Sequence, residues 1–208
     1  MEDVLDLYQR PYDPQRPLVC LDELSTQLLA DTRTPLPLKP GQPTRQDYEY
    51  ERCGTANVFL CYEPLRGSRH ATVTERRTRL DWALVIKDLV VMQYPNAERI
   101  VLVQDNLNTH TIGSLYEAFS AAEAHRLAAK LELHYTPKHG SWLNMAEIEL
   151  GALRRQCLDR RIPDRETVAT ETAAWETHRN AIGGAVHWRF TTADARIKLK
   201  HLYPHQES

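Results

Sequence analysis

Two short runs constrain the fold of this chain more than any other feature. Leu18-Val19-Cys20-Leu21 and Ile100-Val101-Leu102-Val103 are wholly apolar, the first leading directly into Asp22-Glu23 and the second reaching Asp105 after one glutamine. A brief, unbroken apolar run between polar residues is the pattern of a strand covered on both faces. In open α/β sheets the ligand crevice lies outside the carboxyl ends of such strands. Asp22 and Asp105 therefore point to one crevice if their strands are parallel neighbours.

The remaining elements fit the same architecture. Residues 1–17 hold Pro11, Pro14 and Pro17 and read as an irregular N-terminal arm, with the domain proper over 18–204. Residues 33–47 carry Pro35, Pro37, Pro40, Gly41 and Pro43 and predict a stiff loop. Cys53–Tyr62 and Ala71–Thr78 predict a hairpin turning at Gly67-Ser68. Helical spacing appears from Leu80 to Met92 and from Leu115 to Leu131, a strand over Leu131–Tyr135, then helices from Ser141 to about Arg161 and from Arg165 to about Asn180, with a last helix in 192–202. Strands alternating with helices in this order give a mixed α/β sheet with helices on both faces.

At 208 residues the chain suits one domain. No apolar run approaches the ~18 residues of a bilayer span, and 42% hydrophobic residues with a mean hydropathy of −0.53 describe a soluble globular protein without a membrane partner. Met1 is followed by Glu2, Asp3 and Asp6, unlike a secretory signal, so a cytoplasmic location is expected. Cys20, Cys53, Cys61 and Cys157 lack metal or redox spacing and read as reduced, buried small hydrophobes. Net charge is −2, yet residues 1–64 hold 6 basic against 11 acidic residues and 65–208 hold 20 against 17, leaving room for local basic patches.

A third carboxylate comes from the helix that follows Thr136-Pro137-Lys138-His139-Gly140-Ser141-Trp142. With Ser141 as its cap, the helix carries Glu147 and Glu149, about 200° apart around the axis, so only one can face the sheet. Glu147 falls on the stripe of Leu143, Ala146, Leu150 and Leu153 and is the site candidate; Glu149 is expected in solvent. Asp22, Asp105 and Glu147 together form an all-oxygen set suited to Mg²⁺ or Mn²⁺, and two such ions suit phosphoryl transfer.

These segments carry a resemblance. Val103–His110, with its Asp105-Asn106 and His110, and His134–Glu147, with its Ser-x-Leu-Asn-x-x-Glu helix, resemble the catalytic core of DDE-type transposases of the mariner-like branch of bacterial insertion sequences. Val19–Glu23 and Asp47–Thr55 look like that family's first acidic strand and second strand, and the likeness runs from about Leu18 to Pro204. It implies an RNase H-like fold with a mixed five-stranded sheet and a metal pair on Asp22, Asp105 and Glu147. It also implies cleavage at transposon ends and strand transfer of the freed 3′-hydroxyl into target DNA, by a homodimer in a bacterial cytoplasm, associated with the nucleoid when on DNA. The spacing of 41 residues between Asp105 and Glu147 is longer than in many mariner relatives.

Two departures are visible. Relatives place helix-turn-helix DNA-binding modules before the catalytic domain, and only 17 residues precede the first strand here. The expectation is a truncated element, the second product of a split frame, or a catalytic half served by a separate helix-turn-helix polypeptide. Leu24-Ser25 stands where relatives often carry lysine-proline. A DNA-binding remnant without productive transposition and a hydrolytic RNase H-like nuclease are the alternative readings.

Around the triad, Glu23, Asn106, His110, Lys138, His139, Trp142 and Asn144 are candidates for supporting the carboxylates or contacting DNA. For His110 a loop-shaping hydrogen bond is the competing role, and for Trp142 a place in the core competes with base stacking. Arg76, Arg77, Arg79, Arg154 and Arg155 are candidates for phosphate contact, with Arg160-Arg161 a further basic pair, although nearby acids could equally pair them on a solvated face. His134 and His139 lack further partners for zinc, and Trp175 and Trp188 read as structural.

Overall fold

The computed structural model describes residues 1–34, 39–41 and 47–203. Much of the proline-rich 33–47 segment, and Pro204, lie outside the described residues. Five strands form one sheet in the order β3-β2-β1-β4-β5: β1 (Leu18–Asp31), β2 (Tyr50–Glu63), β3 (Ser68–Thr74), β4 (Ile100–Gln104) and β5 (Leu131–Tyr135). The β1–β2 and β2–β3 pairs are antiparallel; β1–β4 and β4–β5 are parallel.

The period of two sorts the strands between two faces. Val19 and Leu21 of β1, Phe59 of β2 and Leu102 of β4 pack under α2 (Arg79–Asp88), α3 (Ile112–Ala118) and α4 (Ala121–Ala128), with Trp82, Ile86, Leu115 and Leu127. On the opposite face Cys20, Tyr62, Val101 and Val103 meet α1 (Glu2–Leu7), the start of α5 (Ala146–Gln156) and α7 (Thr192–Lys198). Val58 and Leu60 on that face are covered by the rest of α5 and by α6 (Arg165–Ile182), through Leu150, Leu153, Val168 and Trp175. This is the mixed five-stranded α/β sheet expected of an RNase H-like domain, helices on both faces. Among the described residues no helix is long and apolar enough to cross a membrane.

Several expectations are corrected. Residues 2–7 are helical, because the prolines begin only at Pro11, and Val4, Leu5 and Leu7 are buried in the core. The first strand does not stop before Asp22: its parallel pairing with β4 ends at Cys20↔Val103, but antiparallel pairing with β2 continues to Asp31↔Tyr50. The helix expected over 115–131 is two, divided where Phe119 leaves helical geometry and Ser120 caps α4 through the Glu123 amide. Ser141 does not cap α5; it opens a 3₁₀ turn, Ser141–Leu143, and α5 starts at Ala146 and stops at Gln156, short of Arg161. Directly after α2, a π-helical turn, Leu89–Gln93, carries the chain toward Pro95.

Cys20 and Cys61 are buried and Cys157 is half-buried, but Cys53 is exposed, since β3 pairs with β2 only from Asn57 onward. Burial pushes the thiols of Cys20 and Cys61 up to about 12, which keeps them unreactive.

Candidate active site

Continuing the Cys20↔Val103 register by two residues sets Asp22 level with Asp105 where β4 ends and β1 runs on alone. Asp22 shares a face of β1 with Cys20 and looks toward α5, while Glu23 lies on the face of Leu21. One strand thus delivers two adjacent carboxylates to opposite sides of the sheet.

Glu23 is the anchor of the first side. Its buried carboxylate contacts His110 Nε2 at 2.7 Å, and Arg77 stands 3.9 Å away. The other ring nitrogen of His110 lies 2.5 Å from Asp105 Oδ1. Burial works against a charged ring, but the two carboxylates outweigh it and push His110 up to about 9. The ring stacks on Trp82, whose Nε1 donates to Gln104 Oε1 at 3.0 Å, and Gln104 Nε2 donates to the His110 carbonyl at 3.1 Å. Tyr135 Oη donates to the same carbonyl at 3.0 Å. His110 is thereby held as a fixed cation between Glu23 and Asp105, combining the loop-shaping and carboxylate-orienting roles.

The second side belongs to Asp22, whose Oδ1 accepts from the Glu23 amide at 2.8 Å. Burial pushes its carboxyl up to about 7, and the nearby charges of Glu147, Asp105 and Glu23 act in the same direction, against that one amide.

Asn144 ties the start of the helix that carries Glu147 to β1. Asn144 is buried, its Nδ2 donating to the Leu21 carbonyl at 2.8 Å and its Oδ1 accepting from the Ala146 amide at 3.2 Å. The bond to Leu21 seats the start of α5 one residue from Asp22. Glu147 itself is exposed, and Glu149 is the buried one, 3% exposed and held by Arg69 and Arg179. The expectation of Glu149 in solvent is overturned. A carboxylate at the margin of an apolar stripe can be buried when arginines from other elements meet it, and sequence spacing does not reveal such partners.

Among the described residues no group of three or more His, Cys, Asp or Glu side chains is arranged to hold a metal ion. The donor chemistry nonetheless fits a hard divalent cation: Asp22, Asp105 and Glu147 offer only carboxylate oxygens, and the charges of Glu147 and Asp105 both act on the partly buried Asp22. His134 is committed to Asp3 at 2.8 Å and Glu132 at 3.2 Å, far from a zinc-like cluster.

The other candidates divide. Asn106, Lys138 and His139 are exposed around the crevice, His139 with φ of 63°. Trp142 is 44% exposed and stacked on Trp188, with Phe190 against its edge, so it is neither core nor free. Trp175 is buried, with Nε1 donating to Gln156. Arg79 pairs with Glu117, Arg160 with Glu171, and Arg76 approaches Glu75 at 4.0 Å. Arg161 holds Asp31 at 2.7 Å. Arg154 and Arg155 are exposed on α5, Arg154 lining a groove of about 390 Å³ with Ser25, Gln27 and Arg160. Sequence reasoning did not find Arg69, Arg179, Gln104 or Trp82, whose partners lie far along the chain, 22 positions apart for Trp82 and Gln104, with no local motif to mark them.

The chain resembles solved transposase structures in fold. A Mos1 transposase paired-end complex with left transposon end superposes with a TM-score of 0.57 at 16% identity, covering 85% of this chain and 52% of the other. A pre-cleavage Mos1 transpososome gives 0.50 at 18% identity, with 85% and 52% covered. The chain thus spans about half the length of these structures. No curated protein matches it in sequence. The DDE superfamily endonuclease profile matches residues 17–169, a stretch that holds Asp22, Asp105 and Glu147 together with His110 and Asn144, and on that match the chain belongs to the DDE superfamily endonucleases.

Proposed function

We propose that this chain is the catalytic domain of a metal-dependent DNA transposase, with Asp22, Asp105 and Glu147 as its catalytic carboxylates. The observation that carries this reading is that β1 and β4 are parallel neighbours bearing Asp22 and, just past the strand end, Asp105, with the charges of Asp105 and Glu147 both acting on Asp22. Asp22, Asp105 and Glu147 would hold Mg²⁺ or Mn²⁺, two ions in all. Bound there, the cations supply activation of a water or 3′-hydroxyl and stabilisation of the leaving oxygen in an in-line displacement at phosphorus.

The protein's own groups prepare that site. Glu23 and His110 hold Asp105 in place from below, and the fixed charge of His110 balances two carboxylates that would otherwise repel. Asn144 keeps α5 on β1. Lys138, His139, Trp142, Arg77 and Arg154, all exposed, are the proposed contacts for DNA phosphates and bases. The cleavage of transposon ends, the transfer of a 3′-hydroxyl to target DNA, and a homodimeric assembly with a helix-turn-helix module are drawn from the family resemblance. The solved Mos1 complexes with a transposon end support DNA as the substrate class.

Metal titration by calorimetry tests the reading without a cognate DNA. The wild-type chain is expected to bind Mn²⁺, and Asp105→Asn and Glu147→Gln each to weaken binding at least tenfold. Absence of binding by wild type up to millimolar Mn²⁺, with nicked DNA present, would overturn it. A strand-transfer assay on a supercoiled plasmid then separates transposition from plain hydrolysis, which nicks without joining.

A further inference from the structure

The acid that the crevice does not use is a buried carboxylate met by two arginines from other elements. Glu149 lies two positions after Glu147 on α5 and is 3% exposed. Arg179 of α6 grips it in a fork, Nη2 to Oε1 at 2.8 Å and to Oε2 at 3.1 Å, with Nε 3.3 Å from Oε2. Arg69 of β3, itself buried, adds a charge contact with Nε 3.0 Å from Oε2 but no directed hydrogen bond, so the directional grip is that of Arg179. Both arginines are held in turn. Asn180 brackets the Arg69 backbone, accepting from its amide at 3.0 Å and donating to its carbonyl at 2.8 Å. The Arg69 guanidinium lies 5.1 Å over the Tyr62 ring, and that of Arg179 lies 6.0 Å over Trp175.

An apolar side chain at 149 would seat α5 on the sheet about as stably, because a buried ion pair gains little over a hydrophobic replacement. What the cluster adds is direction: a forked arginine–carboxylate contact fixes angles as well as distance. α5 needs such a device. It starts without a side-chain cap, after an irregular 3₁₀ turn, with Asn144 tying its first residues to β1. Asn144 ties the helix start to β1 and Leu150 and Leu153 turn its apolar side to the sheet, contacts that fix the angle of the helix less narrowly than a forked ionic bond does. Residues two apart point about 200° away from each other. Locking Glu149 toward β3 and α6 therefore turns Glu147 away from them. A rotation of ~20° would move a carboxylate carried ~6 Å from the axis by ~2 Å, more than the ~1 Å misplacement that can cost a site a hundredfold.

We infer that Glu149, clamped between Arg69 and Arg179, is the positioning residue that sets the rotation of α5 and so places Glu147 opposite Asp22. The inference rests on the reading of Glu147 as a metal-binding carboxylate. Glu149 does not touch the reacting groups; it acts through Glu147.

A double-mutant cycle on the full chain tests it, with Mn²⁺ affinity read by calorimetry and thermal unfolding followed alongside. Glu149→Gln keeps the volume and loses the charge. It is expected to weaken Mn²⁺ binding about tenfold, the usual scale for groups that orient ligands. In a Glu147→Gln background the same substitution is expected to change affinity less than about twofold, because the residue it positions is gone. Arg179→Lys, at the more exposed rim of the cluster, keeps a charge without the fork and is expected to fall between wild type and Glu149→Gln; it serves the same test should Glu149→Gln not fold. A folded Glu149→Gln or Arg179→Lys with a lowered melting temperature and wild-type Mn²⁺ affinity would overturn the inference, leaving Glu149 as a structural pair alone. Wild-type affinity in Glu147→Gln would instead remove Glu147 from the metal site, and the inference with it.

Discussion

The chemistry of the crevice turns on a few carboxylates whose neighbours differ. Asp22 is an acid whose ordinary value of 3.8 is raised to about 7, the reverse of the shift in a salt-bridged aspartate. In the metal-free protein its folded form therefore holds a proton that the unfolded chain has lost between about pH 4 and pH 7. Stability contributed at this position falls as pH rises through that window. Asp22→Asn is expected to match wild type near pH 4 and to exceed it by about 2 kcal/mol at pH 8, allowing for solvent around a partly exposed group. Urea titrations in chelator at the two pH values check this, and an equal gap at both would refute it. With saturating Mn²⁺ the order should invert, because only the wild type gains stability from binding. His110 has the same slope in a higher window: its folded form keeps a proton that the unfolded chain loses, so the stability it contributes also falls as pH rises from about 6.5 to about 9.

At the scale of elements, α5 carries the interest. It reaches the sheet through two polar straps, Asn144 at its start and Glu149 in its first turn, in addition to Leu150 and Leu153. Asn144→Ala removes the bond to Leu21 and leaves that carbonyl and the Ala146 amide without these partners. The expected cost is about 1–3 kcal/mol, the range for a buried polar group stripped of its partner. The loss should be local: hydrogen exchange at the amides of residues 145–148 is expected to speed up far more than exchange in β4. Uniform acceleration through the sheet would show that Asn144 supports the whole core and not the helix start. Ser120 caps α4 through the Glu123 amide. Ser141 offers the same local chemistry before a longer apolar pattern but is spent in a 3₁₀ turn, because the bond from Asn144 to β1 determines where α5 begins.

For the molecule as a whole, the first residues are part of the sheet's covering layer. Leu5 is fully buried with Cys20, Val101 and Val103 beneath α1, and Asp3 and Arg10 reach His134 and Glu132 on β5. Leu5→Ala is expected to destabilise the protein by about 2–5 kcal/mol, as for a leucine in a tightly packed core. Far-ultraviolet and near-ultraviolet circular dichroism should report one coincident unfolding transition for wild type and variant. An early, separate transition confined to the variant would mean that α1 docks on a domain already complete without it.

The sequence by itself determined the apolar centres of the strands and most of the helices that alternate with them, because unbroken apolar runs and helical spacing reflect contacts each segment must make with any core. It also determined the family, whose profile runs across Asp22, Asp105 and Glu147. Only the tertiary structure decided the length of β1, which extends past Asp22 because β2 continues to pair with it after β4 has ended. The same holds for the fate of the two glutamates. Spacing shows that Glu147 and Glu149 face apart, but not which is engaged by arginines from a strand 80 residues before Glu149 and a helix 30 residues after it. Local patterns record how a segment meets an average interior, whereas charge pairing depends on which distant side chains the fold brings within reach.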